Sequence, residues 1–239
     1  MTWEAPPEIV TLDVEMPKPQ PFVLDPTKTA VVIVDMEDFF VKNPSRPGRM
    51  GDTIAGNAVL LAKAREAGAE VIYIQSVRVP GVALEVERFG QPWCRDNMES
   101  VVNGLDVNGP GINIAEEIAP LPGEAVVQKW GHDPFARTEL ENVLTEKGID
   151  NKDWTVLVTG VSAAVCAHAC ALGFSNRHYM TLIPMDCTAA GTVEDEARTY
   201  AQYMSGGYNF NMAFTHSDLV TFEVGATPAE EQVQDLVTI

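Results

Sequence analysis

A cysteine at the start of a predicted helix and two charged residues at the ends of predicted strands are the candidates for chemistry in this sequence. Cys166 follows the apolar segment TVLVTGVSAAV, and the alanine-rich stretch after it favours a helix. The unpaired N–H groups and the positive end of a helix dipole favour a thiolate over a thiol, which predicts Cys166 as a nucleophile. Asp35 ends the run TAVVIVDM, and Lys129 ends the run AVVQK.

The surroundings of Cys166 indicate how it is positioned. Residues 156–158 form a charge-free run typical of a buried parallel strand, and Gly160 is expected to end that strand. Ser162 is a candidate N-cap for the helix. Two alternatives exist: a lone cysteine is often a core residue, and Cys166 with His168 and Cys170 resembles a metal site. The metal site is disfavoured because His168 faces the other side of the helix, and Cys170 is expected in the core.

Alternation of strands and helices predicts the fold that would bring these residues together. Strands are expected at 29–36, 71–77, 125–129, 155–158 and 179–185, and helices at 53–68, 138–147, after Ser162 and at 193–204. Thr138 and Glu141 have the spacing of a capping box. The expected fold class is α/β: a single-domain, Rossmann-like, three-layer α/β/α fold with a mostly parallel sheet. In such a sheet the carboxyl ends of the strands share one edge, where Asp35, Lys129 and Cys166 can converge.

The remaining segments set the domain boundaries. Residues 1–28 are rich in proline and acidic residues, so we expect an extended N-terminal arm without regular structure. The main domain is expected to span 29–225, ending in an edge strand and a short helix over 210–224, and residues 226–239 to form an acidic, peripheral tail. Residues 79–111 lack periodicity, and we interpret them as an active-site flap or substrate loop, with a solvated loop as the alternative.

Composition limits the partners. The 239 residues carry a net charge of −18, which argues against nucleic acid and anionic membranes. Residues 156–174 are apolar enough to suggest a membrane span, but polar interruptions and the lack of a basic flank disfavour one. Four cysteines without a disulfide-scaffold spacing and an N-terminus without a signal-peptide pattern predict a cytoplasmic location.

Three segments together resemble the isochorismatase-like cysteine hydrolase family, which includes nicotinamidases, N-carbamoylsarcosine amidase, ureidoacrylate amidohydrolase and biuret hydrolase. They are VVIVDMEDFF, KWGHDPFARTEL and GVSAAVCAHACALGF, and the resemblance covers roughly residues 29–192. In the first, Glu37 and Asp38 replace the family's usual Gln-Asn, and in the third, Ala163 and Ala164 replace its Thr-Asp. The metal pattern of nicotinamidases, an Asp and His pair after the second strand, is missing from QSVRVPGV, which disfavours nicotinamide hydrolysis.

The resemblance implies a catalytic set and a reaction. Asp35 is implied as general base, Lys129 as its partner, Cys166 as nucleophile, and the peptide bond between Val161 and Ser162 as cis. Attack of the sulfur on an amide or ureido carbonyl would give a thioester, with the oxyanion held by the backbone N–H groups of Cys166 and Val165. This chemistry needs no metal or cofactor. The family is commonly dimeric or tetrameric, which implies a homo-oligomer.

Substrate contacts are expected from the loops beside these motifs. Phe40, Trp93, Trp130 and Phe135 are candidates for an apolar wall, and His132 and Asp133 for contacts with the substrate. A substrate carboxylate would suit Arg49, Arg78 or Arg95, although each of these loop residues is also explained by simple solvation.

The expected function is hydrolysis of a carbon–nitrogen bond in a small linear amide, ureido or carbamoyl compound, with release of ammonia. Hydrolysis of a vinyl ether is a second possibility, which Cys166 disfavours because isochorismatases with that activity generally lack the cysteine. A non-catalytic thiol sensor or binding protein is a third, which a carboxylate and an ammonium beside the sulfur would disfavour.

Overall fold

The structure, a computed structural model, describes residues 16–43, 49–78, 103–204 and 211–237, with side chains up to residue 233 in the last range. The predictions for Trp93 and Arg95, and for most of the 79–111 loop, lie outside these ranges. Within them, the strands are β1 (Phe22–Leu24), β2 (Thr29–Val34), β3 (Glu70–Ser76), β4 (Ala125–Lys129), β5 (Thr155–Val161), β6 (Met180–Pro184), β7 (Thr188–Ala189), β8 (Met212–Thr215) and β9 (Val220–Phe222). The helices are α1 (Asp38–Val41), α2 (Thr53–Ala67), α3 (Leu140–Glu146), α4 (Cys166–Ser175), α5 (Val193–Met204) and α6 (Ala229–Val237).

The main sheet is parallel throughout, with the order β4-β3-β2-β5-β6-β8 and the short β7 paired to the end of β5. The chain builds outward from β2 to β3 and β4, then returns to place β5 on the other side of β2. The strand order therefore reverses between β2 and β5, and open α/β sheets bind their ligands at the carboxyl ends of strands flanking such a reversal.

Helices cover both faces of this sheet, which confirms the predicted three-layer α/β fold. Alternate residues of β2 separate the two cores: Ala30, Val32 and Val34 face the helices α3, α4 and α5, while Val31 and Ile33 face α2. This alternation follows from the two-residue period of a strand, and burial on both faces explains the uninterrupted apolar run in the sequence. No helix in the described ranges is long and apolar enough to cross a bilayer.

Gly160 lies inside β5 and does not end it, contrary to the sequence-based expectation. Its φ of 95° is in the left-handed region, and a Cβ there would overlap the carbonyl oxygen of Val34 on β2. The glycine therefore permits β5 and β2 to approach closely just before the polar residues that follow each strand. Gly160 has a structural role in β5, but this role is to allow close packing of two backbones and not to end the strand.

The described parts of the two terminal segments contain more regular structure than predicted. In the N-terminal arm, β1 pairs in parallel with β9 in a separate two-stranded sheet, and Phe22 and Leu24 are buried in the chain's own core. Three apolar residues between prolines are too short a signal to reveal a strand. The expected short helix within 210–224 is wrong for its described part, which instead holds β8 and β9. The acidic tail forms α6, whose Ala229 is buried.

Candidate active site

The carboxyl ends of β2, β3 and β4 meet in a buried hydrogen-bonded cluster. Lys129 Nζ lies 2.8 Å from Asp35 Oδ2 and 2.8 Å from Ser76 Oγ, and it also donates to the carbonyl oxygen of Gly131 at 3.0 Å. Ser76 Oγ in turn donates to Asp35 Oδ2 at 3.1 Å. Because β3 lies between β2 and β4, the long lysine side chain must reach past β3, and Ser76 at the end of that strand fills the space between them.

Asp35 is held with one oxygen occupied and one available. Its side chain is 1% exposed, and that of Lys129 is fully buried. Oδ2 accepts from Lys129 and Ser76, whereas Oδ1 has no hydrogen-bond partner among the described residues. The backbone φ of Asp35 is 51°, a left-handed conformation that non-glycine residues rarely adopt and that is enriched at functional sites. The free oxygen can accept a proton from a neighbouring group.

The ammonium of Lys129 stays charged in this buried position. Burial alone would lower the pKa of Lys129, but the Asp35 carboxylate and neighbouring acidic groups outweigh burial and raise it. The pair is therefore a buried salt bridge whose members depend on each other, since removal of one leaves an uncompensated charge.

Cys166 is the first residue of α4, separated from the end of β5 by residues 162–165, as the sequence indicated for the helix start. Ser162 is not its N-cap: the N-cap position is Val165, and Ser162 Oγ accepts only from Ala164 N at 3.3 Å. The peptide bond between Val161 and Ser162 is cis. The helix starts later than alanine content predicts because residues 162–165 form a turn closed by the Ser162 carbonyl.

The turn also alters the predicted oxyanion site. The N–H of Val165 donates to the carbonyl oxygen of Ser162 at 2.9 Å, and the N–H of Ala167 donates to the same oxygen at 3.1 Å. Val165 therefore does not fit the expected part of an oxyanion donor in this structure. The N–H of Cys166 belongs to the first residue of α4, where N–H groups lack an acceptor within the helix, so it suits a developing oxyanion.

The Cys166 thiol is protonated at rest, contrary to the expected thiolate. Burial is the main cause that raises the pKa of Cys166, the Asp35 carboxylate raises it further, and Lys129 opposes both. The desolvation cost of a buried thiolate thus exceeds the benefit of the helix terminus. A nucleophilic sulfur at this position requires a base that takes its proton during the reaction.

His132 contacts the sulfur directly. Its Nδ1 lies 3.3 Å from Cys166 Sγ, within hydrogen-bonding distance for sulfur. Burial and then Lys129 lower the pKa of His132 below its usual value, so the imidazole is neutral near pH 7. From the sequence, His132 was expected to contact the substrate. In the structure, it contacts the sulfur of Cys166.

Ser76 and Glu37 belong to the cluster but were not predicted as site residues. Glu37 is fully buried, and its Oε1 accepts a short hydrogen bond from the N–H of Ser76, whereas Oε2 has no partner among the described residues. Burial and the nearby Asp35 raise the pKa of Glu37 well above its ordinary value, so a neutral carboxyl is favoured. The sequence feature that could have identified Glu37 is a charged residue shortly after a strand buried on both faces, where charges are rare.

The predicted arginines have different surroundings. Arg49 forms an ion pair with the buried Glu196, 2.7 Å between Nη1 and Oε2, so it is not free to bind a substrate carboxylate as expected. Arg78 is half-buried beyond the end of β3. Burial lowers the pKa of Arg78, against the attraction of the Asp35 carboxylate. Of the two described candidates, Arg78 is the one whose charge acts on the catalytic cluster.

The predicted apolar wall is only partly assembled by the described residues. Trp130 is 46% exposed beside Lys129, and Phe40 is half-buried with its ring packed edge-on against Phe39. Phe135 instead packs edge-to-face on Phe174, with the Arg177 guanidinium 3.8 Å from its ring centroid. Its contacts are those of a packing residue that fixes the loop after Lys129.

His168 and Cys170, which with Cys166 resemble a metal site in the sequence, have other surroundings in the fold. Cys170 is fully buried in the core, and His168 bonds to the Tyr203 hydroxyl at 2.7 Å. In the described part of the chain, no three His, Cys, Asp or Glu side chains are grouped so as to hold a metal ion.

Comparison with known proteins places this geometry in a family. Among curated relatives, the chain is 25% identical over 187 residues to ureidoacrylate amidohydrolase RutB of Methylobacterium radiotolerans, covering 72% of this chain and 70% of the relative. It is 26% identical over 190 residues to the same-named enzyme of Agrobacterium fabrum, covering 72% and 80%.

Solved structures share the fold. A cysteine hydrolase from Pseudomonas syringae pv. phaseolicola matches with a TM-score of 0.68 at 24% identity, over 85% of this chain and 95% of that one. N-carbamoylsarcosine amidase of Thermoplasma acidophilum matches with a TM-score of 0.63 at 23% identity, over 83% and 99%. The isochorismatase domain model matches residues 29–215. The chain therefore belongs to the isochorismatase-like hydrolase family, as the three sequence segments predicted.

Proposed function

We propose that this chain is a cysteine amidohydrolase that cleaves a carbon–nitrogen bond in a small linear amide, ureido or carbamoyl compound through a thioester on Cys166. The observation that carries the proposal is the meeting of Asp35, Lys129 and Cys166 at the sheet edge: the charges of the first two both act on the thiol of the third. The curated relatives, named as ureidoacrylate amidohydrolases, support a ureido compound as substrate.

In the acylation half of the reaction, Asp35 Oδ1 takes the proton from Cys166 Sγ while the sulfur attacks the carbonyl carbon. The carbonyl oxygen becomes an oxyanion that the Cys166 N–H stabilises at the positive end of α4. Asp35 then gives its proton to the departing nitrogen, the carbon–nitrogen bond breaks, and an acyl thioester remains. Lys129 Nζ, 2.8 Å from Oδ2, supplies the counter-charge of Asp35 and holds its carboxyl group in place.

In the second half, water attacks the thioester carbonyl and the carbon–sulfur bond breaks, which releases the acid and restores the thiol. For a ureido substrate the released acid is a carbamic acid, which decomposes to ammonia and carbon dioxide. Both half-reactions use the side chains and backbone of this chain. The proposal also includes a homo-oligomer, which the family resemblance implies, and a cytoplasmic location, which the cysteine usage indicates.

The guanidinium of Arg78 supports a substrate that carries a carboxylate. Its Nε is buried without a partner among the described residues, although Nη1 donates to the Val77 carbonyl oxygen at 2.7 Å. A half-buried cation beside the nucleophile is well placed to bind an anionic group bidentately. Ureido acids and N-carbamoyl amino acids have this combination of carbamoyl group and carboxylate.

Ammonia release from a panel of amides tests the proposal. The panel contains ureidoacrylate-like ureides, N-carbamoyl amino acids, biuret, nicotinamide and simple aliphatic amides, and each is assayed with the wild type and with Cys166→Ser. We expect turnover of a ureido or carbamoyl compound by the wild type and none by the variant. Turnover that survives in Cys166→Ser, or a wild type inactive on every compound, would contradict the proposal and favour the vinyl ether or thiol sensor alternatives.

A further inference from the structure

The loop after β4 fixes His132 against the nucleophile from both sides. On one side, the Gly131 carbonyl accepts from Lys129 Nζ at 3.0 Å. On the other, Asp133 Oδ1 accepts from the N–H of Phe135, whose ring is packed against Phe174. The 3.3 Å contact between His132 Nδ1 and Cys166 Sγ is therefore set by anchors in the catalytic cluster and in the core.

Asp35 is poorly placed for the second half of the proposed reaction. Its side chain is 1% exposed, and its Oδ2 is occupied by Lys129 and Ser76. The water that cleaves a thioester must arrive from solvent. His132 is on an exposed loop and contacts the sulfur, so it reaches both the solvent and the atoms that react.

We propose that His132 is a second catalytic base, which serves the hydrolysis of the thioester. Its Nδ1 takes a proton from the attacking water as the water oxygen bonds to the acyl carbon. When the tetrahedral intermediate collapses, the carbon–sulfur bond breaks and the same proton passes from Nδ1 to Sγ along the 3.3 Å contact. The products are the free acid, a neutral imidazole and the thiol, so every proton is accounted for.

This inference rests on the proposed function and assigns its two half-reactions to two different bases. Asp35 acts in acylation, where the sulfur proton must be removed, and His132 acts in deacylation. The lowered pKa of His132 keeps the imidazole neutral near pH 7, as a base requires. The assignment therefore predicts that loss of His132 slows one half-reaction and spares the other.

Single-turnover kinetics with p-nitrophenyl acetate separates the two halves. With enzyme in excess, p-nitrophenolate absorbance reports acylation, and the decay of the acetyl adduct in quenched intact-mass spectra reports deacylation. The variants are His132→Asn, which keeps a hydrogen-bonding group near the Nδ1 position but has no basic nitrogen, and His132→Ala. His216→Gln, which removes a histidine beside Asp218, is the matched control.

We expect acylation within about threefold of wild type in His132→Asn and deacylation slower by about 100-fold, within the range for general-base catalysis. Added imidazole should restore deacylation in His132→Ala and leave acylation unchanged. Unchanged deacylation in His132→Asn, or equal losses in both steps, would overturn the assignment. A wild type that forms no adduct on Cys166 would instead contradict the proposed thioester itself, so the two failures are distinguishable.

Discussion

Lys129 Nζ lies 2.8 Å from Asp35 Oδ2 although the strands that carry these residues are not neighbours in the sheet. The lysine reaches past β3, and Ser76 bonds to both members of the pair. The electrostatics of the site is therefore built from three parallel strands whose ends lie at one edge. A buried pair of this kind stabilises the fold only while both charges are present.

Replacement of Lys129 by Met is expected to remove activity and to destabilise the fold. The substitution leaves the Asp35 carboxylate buried without its counter-charge, at a cost of about 3–5 kcal/mol in the free energy of unfolding. The double variant Lys129→Met/Asp35→Asn should recover part of this loss and remain inactive. Urea denaturation of the wild type, both single variants and the double variant measures the coupling. Additive losses of stability would contradict a mutually dependent pair.

Replacement of Ser76 by Ala tests the hydroxyl group that bonds to both Lys129 and Asp35. The Lys129 ammonium then loses one acceptor and Asp35 loses one donor, so we expect destabilisation of about 1–3 kcal/mol. Activity should fall about tenfold because the carboxylate is less firmly oriented. Ser175→Ala, which removes a buried hydroxyl bonded to Asn211 away from the site, is the control. It should cost similar stability and leave turnover unchanged, whereas an equal loss of turnover in both variants would show a general packing effect.

The raised pKa of Glu37 is expected to make the stability of the folded protein depend on pH. The raised pKa of Glu37 means that the folded state holds a proton that the unfolded chain releases near pH 4.5. Its contribution to stability is therefore full below that pH and declines as the pH rises toward the folded pKa. Glu37→Gln keeps the neutral form at every pH, so its melting temperature should exceed that of wild type by several degrees at pH 8, and the two should converge below pH 4.5.

Thermal unfolding of Glu37→Gln at a series of pH values checks this prediction. Each kcal/mol corresponds to roughly 2–4 °C for a chain of this size. Glu116→Gln, an exposed carboxylate, is the control and should follow wild type throughout. A difference between Glu37→Gln and wild type that does not vary with pH would exclude ionisation of Glu37 as its cause.

Gly160 is expected to tolerate no side chain. Alanine there would overlap the Val34 carbonyl and adopt a φ of 95°, so Gly160→Ala should push β5 away from β2 and separate Cys166 from Asp35. We expect a loss above about 2 kcal/mol and a large fall in turnover. Gly148→Ala, with a φ of 67° but open space around its Cβ, should show only the smaller backbone cost and keep its activity. Equal effects would contradict the overlap argument.

The sheet and the three catalytic candidates were predictable because their signals are local. Charge-free strands buried on both faces leave uninterrupted apolar runs, and strand ends in a parallel sheet share an edge, so Asp35, Lys129 and Cys166 were expected to meet. The isochorismatase domain model, which matches residues 29–215, confirms the family.

What the sequence could not reveal depends on contacts between distant segments. Ser76 joins the catalytic cluster only because the Lys129 side chain crosses β3. Strand β1 forms only because it pairs with β9, nearly two hundred residues later. Burial at Cys166 reversed the thiolate expectation, since a helix terminus is visible in sequence and desolvation is not.

The measurement that tests the central claim most directly is peptide mapping of the enzyme quenched during turnover of a ureido substrate. The account predicts an acyl adduct on the peptide that contains Cys166, released by hydroxylamine and increased in His132→Asn. It also predicts no adduct and no turnover in Cys166→Ala. Steady turnover without any adduct on Cys166, or turnover that persists in Cys166→Ala, would contradict a thioester at this residue.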